Sequence, residues 1–186
     1  DGIIINVASA TDFVVESGAA LIQNQDVVNI GEITVNRNSN SMKLLDYTMW
    51  SSPVATQGIQ AFSPQTLSNR IYKYDAVEDI YVNTFTETEF QEGHAYLFRA
   101  PNNFTDTPQM YNGVFTGVAN NGNVSVAVTG QAYNGLGNPY PSAIAADALF
   151  AENAQMLAVY FWTNTNAPVD GVYVENNYAS YTLLGG

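Results

Sequence analysis

Along most of the chain apolar positions alternate with polar ones at a spacing of two, in short runs punctuated by Gly, Asn, Asp, Ser and Pro. Ile3-Ile4-Ile5-Asn6-Val7 and Phe13-Val14-Val15 open the series as β-branched or aromatic runs. Residues 27–36 alternate, which would set Val27, Asn29, Gly31, Ile33 and Val35 on one face of a strand. Val124, Val126 and Val128 alternate with Ser125 and Ala127. The preceding Asn120-Asn121-Gly122-Asn123 tolerates positive φ, and so predicts a hairpin with residues 114–118. Further strands are predicted over residues 43–50, 70–74, 79–83, 95–100, 157–163, 171–175 and 178–183. A strand roughly every ten residues is the spacing of a sandwich or barrel. The pattern predicts an all-β fold, a jelly-roll-like β-sandwich.

One segment departs from this period. Residues 142–156 carry Ala143, Ala145, Ala146, Ala148, Leu149 and Ala151, good helix formers, with Ile144, Ala148, Leu149 and Ala151 near one helical face. Pro139 and Pro141 precede it, and Ser142 or Asp147 is placed to cap it. A short helix bridging two strands is expected. Residues 1–35 repeat strand-like pieces near Ile5, Val14, Leu21 and Ile30, a spacing that suits either solenoid rungs or the first strands of a sandwich. The expected division is therefore an N-terminal strand region, 1–35, and a sandwich module, 36–186. Ile3, Ile4 and Ile5 would be an aggregation hazard as an unpaired edge. They are expected to pair within the domain or, by strand addition, with another subunit.

Charge narrows the partners. The chain has 17 acidic and 5 basic residues, a net charge of -12. So few cations cannot neutralise a phosphate track, which excludes sequence-independent nucleic-acid binding, and anionic membrane surfaces are disfavoured. No apolar run reaches the length of a membrane-spanning helix, so no membrane insertion is expected. The absence of cysteine removes disulfides, thiolate zinc sites and cysteine nucleophiles. Residues 1–7 lack the basic start of a signal peptide, as in a mature secreted chain or an excised fragment. Low charge with abundant Asn, Thr, Ser, Tyr and Gly suits a secreted surface protein.

Candidate chemistry is sparse. The one histidine, His94, lies in a turn leading into a strand, and no G-x-S-x-G elbow is present. Glu87, Glu89 and Glu92 form the densest acidic group; on a strand Glu87 and Glu89 would point to one side with Phe90 opposite, as a solvated face. Asp75, Glu78 and Asp79 read as turn residues. No enzymatic activity and no cofactor are expected. Calcium is the one ion the oxygen-rich loops could accept, through Asn102, Asn103 and Asp106 or through Asp75 and Asp79. Among 12 Tyr, 9 Phe and 2 Trp, those in strands are expected in the core, Trp50 and Trp162 included. Tyr111, Tyr133, Tyr140, Tyr173 and Tyr178 sit near turns and are the candidate ligand-binding rings, with glycans as the ligand class.

Several segments form an ordered series: Asp46-Tyr47-Thr48-Met49-Trp50-Ser51-Ser52-Pro53-Val54, Ala61-Phe62-Ser63-Pro64, Arg70-Ile71-Tyr72-Lys73-Tyr74, Gly93-His94-Ala95-Tyr96-Leu97, Phe115-Thr116-Gly117-Val118, Gly137-Asn138-Pro139-Tyr140-Pro141-Ser142, Tyr160-Phe161-Trp162 and Tyr178-Ala179-Ser180-Tyr181. In this order they resemble a module of large secreted, cell-surface proteins of Bacteroidetes, particularly flavobacteria, commonly exported by the type IX secretion system. The resemblance spans nearly the whole chain, and its most specific pieces are Trp50 through Val54 and Gly137 through Ser142. It implies a surface-attached β-rich module, with other surface subunits or parent-chain domains as partners, and transfers no catalytic residue. Such modules usually continue into a sorting domain; the chain ends at Gly185-Gly186, as a truncated or processed module would.

Overall fold

In the computed structural model, which describes residues 7–167, 169, 173, 174 and 176–183, two sheets face each other across an aromatic core. The strands are β1 (Val14–Val15), β2 (Ile33–Asn38), β3 (Tyr47–Trp50), β4 (Ile71–Asp75), β5 (Ile80–Asn83), β6 (Tyr96–Arg99), β7 (Asn112–Gly117), β8 (Val159–Trp162) and β9 (Tyr178–Tyr181); the helices are α1 (Ile59–Phe62) and α2 (Ala146–Glu152). One sheet has the order β1-β2-β7 and the other β3-β6-β4-β5, while β8 and β9 form a separate hairpin. The fold is all-β and sandwich-like. Ile3, Ile4 and Ile5 lie outside the described residues.

Alternation decides which side chains enter the core. In β2 the buried positions are Ile33 and Val35, and in β7 Gly113, Phe115 and Gly117. From the opposite sheet come Trp50, Ile71, Tyr96 and Phe98. In β6, Tyr96, Leu97 and Phe98 are all buried, as a continuous apolar run requires when both faces of a strand are covered. Phe62, at the end of α1, stands between the sheets: it stacks on Phe115 at 4.3 Å and meets Trp50, Phe90 and Phe98 edge-on at 5.0, 5.5 and 5.7 Å. The division expected at residues 35/36 falls inside β2, and Val15, Leu21 and Ile33 share one core with the residues beyond it.

Five local expectations are corrected. The strand drawn over 27–36 begins only at Ile33, because Gly31 takes φ +86° and Asn29 turns inward, its amide bonded to Gln23 and to Ala119 O. Residues 114–118 do not form a hairpin with Val124–Val128; β7 pairs antiparallel with β2, and the 124–128 segment is not a strand. Residues 84–91 are likewise irregular, so Glu87 and Glu89 do not form a strand face. The helix is shorter than 142–156, and its N-cap is Ala145 with no side-chain cap bond; Asp147 instead sits in the first turn. Of the strand expected over 171–175, residues 171, 172 and 175 lie outside the described residues, and Tyr173 and Val174 are not in a strand.

The two most specific pieces of the sequence series meet in space. Asn120 Nδ2 donates to Pro139 O at 3.0 Å and to Ser52 O at 3.4 Å. Ser52 Oγ accepts from Val54 N at 3.2 Å, and Asn138 folds its own turn by accepting from Tyr140 N at 2.9 Å and donating to Ser142 O at 2.6 Å. Leu21 N donates to Pro141 O at 2.8 Å, which ties the N-terminal region to the same knot. These motifs satisfy buried backbone groups, which accounts for their particular mix of Ser, Asn and Pro.

Candidate functional site

The outer face of the four-stranded sheet is rich in tyrosines, with Arg99, Leu97 and Asn83 among them. Pairing sets Tyr72 beside Asn83 and Tyr74 beside Tyr81, and strand periodicity puts Tyr47, Tyr72 and Tyr74 on the side opposite Trp50, Ile71 and Phe98. The β8–β9 hairpin lies over this face with Tyr160, Trp162 and Tyr178 sharing one side, as the register Trp162↔Tyr178 and Tyr160↔Ser180 requires. The two layers are joined by Tyr81 and Tyr178, whose hydroxyls are 2.7 Å apart. Asn164 clamps the edge of β3: its Nδ2 donates to Tyr47 O at 2.7 Å, and its Oδ1 accepts from Tyr47 N at 3.3 Å and from Trp162 Nε1 at 2.8 Å. An amide side chain thus occupies the place of a neighbouring strand, closing an edge that would otherwise be open to pairing.

The rings form a continuous series. Tyr133 meets Tyr160 at 5.5 Å, Tyr160 meets Tyr178 at 6.4 Å, and Tyr178 meets Trp162 at 5.2 Å. Trp162 meets Tyr173 at 5.0 Å, Tyr173 meets Tyr47 at 6.1 Å, and Tyr74 meets Tyr81 at 5.2 Å. All six pairs are edge-to-face, the arrangement the ring quadrupole favours. Two rings stand out to solvent, Tyr133 at 61% exposure and Tyr160 at 45%. Tyr133 is held by a closed loop: Asn134 Oδ1 accepts from Thr129 N at 2.9 Å, and its Nδ2 donates to Thr129 O at 3.0 Å. Ala95 N donates to Gly135 O at 3.1 Å, anchoring that loop beside the start of β6.

Of the tyrosines singled out from the sequence, Tyr133, Tyr173 and Tyr178 come together here. Tyr111 does not: it packs on Trp50 and Phe62 and donates to Phe62 O at 2.5 Å, so it belongs to the core. Tyr140 is also structural, donating to Gly122 O at 2.7 Å. Tyr74, Tyr81 and Tyr160, strand aromatics that sequence pattern alone assigns to the core, also belong to this wall. The alternation Tyr72-Lys73-Tyr74 was the available signal, since two tyrosines at that spacing share a face. Trp162, expected in the core, is half-buried between the layers.

Of the acidic candidates, Glu87, Asp75 and Asp79 are engaged in structure. Tyr96 OH donates to Glu87 Oε2 at 2.5 Å, and Lys73 Nζ lies 3.4 Å from Glu87 Oε1. Asp75 Oδ1 accepts from Val77 N and Glu78 N in the β4–β5 turn, and Tyr74 OH donates to Asp79. His94 Nδ1 is 3.0 Å from Glu92 O. Asn102 accepts from Arg99 Nη2 at 3.0 Å. Among the described residues no group of three or more His, Asp or Glu is gathered as a metal would require, and no helix is long and apolar enough to cross a membrane. A shallow depression of about 410 Å³ on the three-stranded sheet is lined by Glu16, Ser17, Asn36, Asn38, Asn112 and Val114.

Burial, reinforced by the bond to Asp79, pushes the Tyr74 hydroxyl up to about 12. Burial likewise raises Tyr81, Tyr96 and Tyr173 above the ordinary tyrosine value, aided at Tyr81 by Tyr178 and at Tyr96 by Glu87. An unfolded tyrosine titrates near 10. Above that pH the unfolded chain has released protons that the folded chain keeps, so stability is fully present below about pH 10 and falls as pH rises through the folded values. In an alkaline titration, tyrosinate absorbance from these rings should appear only together with loss of near-UV circular dichroism. Full tyrosine ionisation near pH 10 with the fold intact would contradict this.

Fold and site together define an all-β, sandwich-like domain whose second sheet carries a tyrosine-rich outer face. The chain belongs to the DUF8693 family, a domain of unknown function whose family model matches residues 3–185. No curated protein and no solved structure matches it.

Proposed function

We propose that the chain is a non-catalytic structural or adhesive module of a secreted bacterial cell-surface protein, assembling with neighbouring subunits or with other domains of its parent chain. The observation that carries this reading is the edge of the four-stranded sheet. β5 is its outermost strand, and no strand among the described residues pairs with the far side. Ile80 and Val82 share one face of it and are 52% and 37% exposed; Val77 in the preceding turn and Phe85 just beyond the strand are 76% and 69% exposed. Whereas Asn164 closes the β3 edge, this one is left apolar and open, as a strand-addition or packing surface must be. The engagement of Glu87, Asp75 and Asp79 in structural bonds supports a non-catalytic role. Low charge, polar uncharged composition and the ordered series of segments support the extracellular setting.

Light scattering with negative-stain electron microscopy tests it. Concentration-dependent oligomers or fibres are expected, lost on Val82→Lys while circular dichroism is unchanged. A monomer at every concentration, alone and with the flanking parent domains added, would sink the assembly reading.

A further inference from the structure

We propose that the exposed end of the tyrosine face, centred on Tyr133 and Tyr160, binds a neutral polysaccharide chain. The site is independent of the β5 edge and does not rest on the assembly reading. Tyr133 and Tyr160 stand 5.5 Å apart at 78°. A pyranose ring seated on one phenol face therefore has its edge against the other, an L-shaped seat for the apolar face of a sugar. Both rings are supported from behind. Tyr160 packs on Tyr178 at 6.4 Å, Tyr178 is bonded to Tyr81, and Asn134 closes the loop that presents Tyr133. Rings held in this way lose little freedom on binding, which lowers the entropic cost of association.

Polar groups for sugar hydroxyls border the rings: Ser180 is paired across the hairpin from Tyr160 and exposed, and Asp79 accepts from Tyr74 OH. Charge selects the ligand. Cations act on the far end of the tyrosine face, where Arg70 and Arg99 lie near Tyr47, whereas the charged group bonded at this end is the acid Asp79, which Tyr74 OH contacts. A net charge of -12 adds long-range repulsion for acidic polymers. Uronate-rich and sulfated chains are therefore rejected and uncharged ones admitted. The depression beside Asn36 and Asn112 lacks any ring to stack on and is not part of the site. Both rings are exposed, which admits internal segments of a chain as readily as its ends.

Isothermal titration calorimetry on the full chain with cellohexaose, mannohexaose and chitohexaose, and with hexagalacturonate as the anionic control, tests the assignment. At least one neutral hexaose should bind saturably and hexagalacturonate should not. Tyr133→Ala and Tyr160→Ala should each weaken binding about tenfold, equivalent to about 1.4 kcal/mol. Tyr160→Phe, which keeps the ring, should stay within about threefold of the unaltered protein. In a second measurement the bound hexaose should protect Tyr133 of the unaltered protein from acetylation by N-acetylimidazole, mapped by peptide mass. That readout does not depend on any variant folding. Absence of binding to all three neutral probes, binding only to hexagalacturonate, affinity unchanged in a folded Tyr133→Ala/Tyr160→Ala protein, or protection that leaves out Tyr133 would each overturn the proposal.

Discussion

Replacing Phe62 by alanine should cost about 3–5 kcal/mol of folding stability, the range of a large buried aromatic removed from a packed core. Phe62 is 3% exposed and touches rings from both sheets: Trp50 and Phe98 on one side, Phe115 on the other, with Phe90 and Tyr111 completing its surroundings. It comes from a helix of one turn, α1, whose own backbone bonds could not hold it in place. The ring is the contact on which the two sheets agree, so its loss leaves a cavity that neither sheet can close alone. A domain of this size has a total stability on the order of 5–15 kcal/mol. The variant should therefore lose a large part of its denaturant midpoint, or fail to fold. Phe62→Leu, which fills most of the volume, should cost less than half as much. A loss under about 1 kcal/mol for Phe62→Ala, measured by urea unfolding, would show that the sheets pack without it.

Gly117→Ala is the second large effect, expected at about 1–3 kcal/mol, the usual range for an added methyl where the core has no room. Gly113, Phe115 and Gly117 alternate along the inner side of β7, small-large-small. A Cβ at 113 would stand 2.8 Å from Phe62 Cζ, so that glycine makes room for the central ring. At 117 the added carbon would press into the carbonyl oxygen of Ala55 and lie 3.1 Å from Val54 Cγ2. The Ala55 backbone is itself fixed, because its N–H donates to Val118 O at 2.9 Å, so it cannot swing aside. Gly130→Ala is the matched control. A Cβ there meets nothing within 4 Å, and its φ lies outside the left-handed region. It should be neutral, or stabilise by up to about 1 kcal/mol through the unfolded chain. Equal effects at 117 and 130 would contradict the close-approach argument.

How far the chain could be read in advance varied with how local the cause was. β4, β5, β6, β8 and β9 lie where alternation and β-branched or aromatic content placed them, each within a few residues. The Asp75, Glu78 and Asp79 turn was also legible, because Asp75 caps it through bonds to residues only two and three positions ahead. Val124–Val128 alternates as well as any strand, yet no strand forms there, since β2 had already taken the one edge of β7 that is open to a partner strand. Gln57 and the 53–55 segment occupy the other: Gln57 Oε1 accepts from Thr116 N at 2.8 Å, and Val54 bridges to Ala119. Competition for an edge is a property of the assembled sheet and leaves no mark on the period of the losing segment.

The candidate site divides in the same way. Tyr133 was marked by its place among Gly and Asn residues, which is local turn chemistry. Tyr111 has similar neighbours and was marked alike, but the long-range contact with Phe62 takes it into the core. The gathering of Tyr74, Tyr81, Tyr160 and Tyr178 depends on β8 and β9 folding back over strands formed some eighty residues earlier, where the Tyr81 and Tyr178 hydroxyls meet. The all-β class, the strand positions and the charge that repels acidic partners follow from near-neighbour alternation and composition, which act within a few residues or over the whole chain at once. Which strands pair, which edges close and which rings stand in one wall were decided by packing between distant segments, because an aromatic ring on a strand is equally suited to the core and to a second layer until that layer is in place.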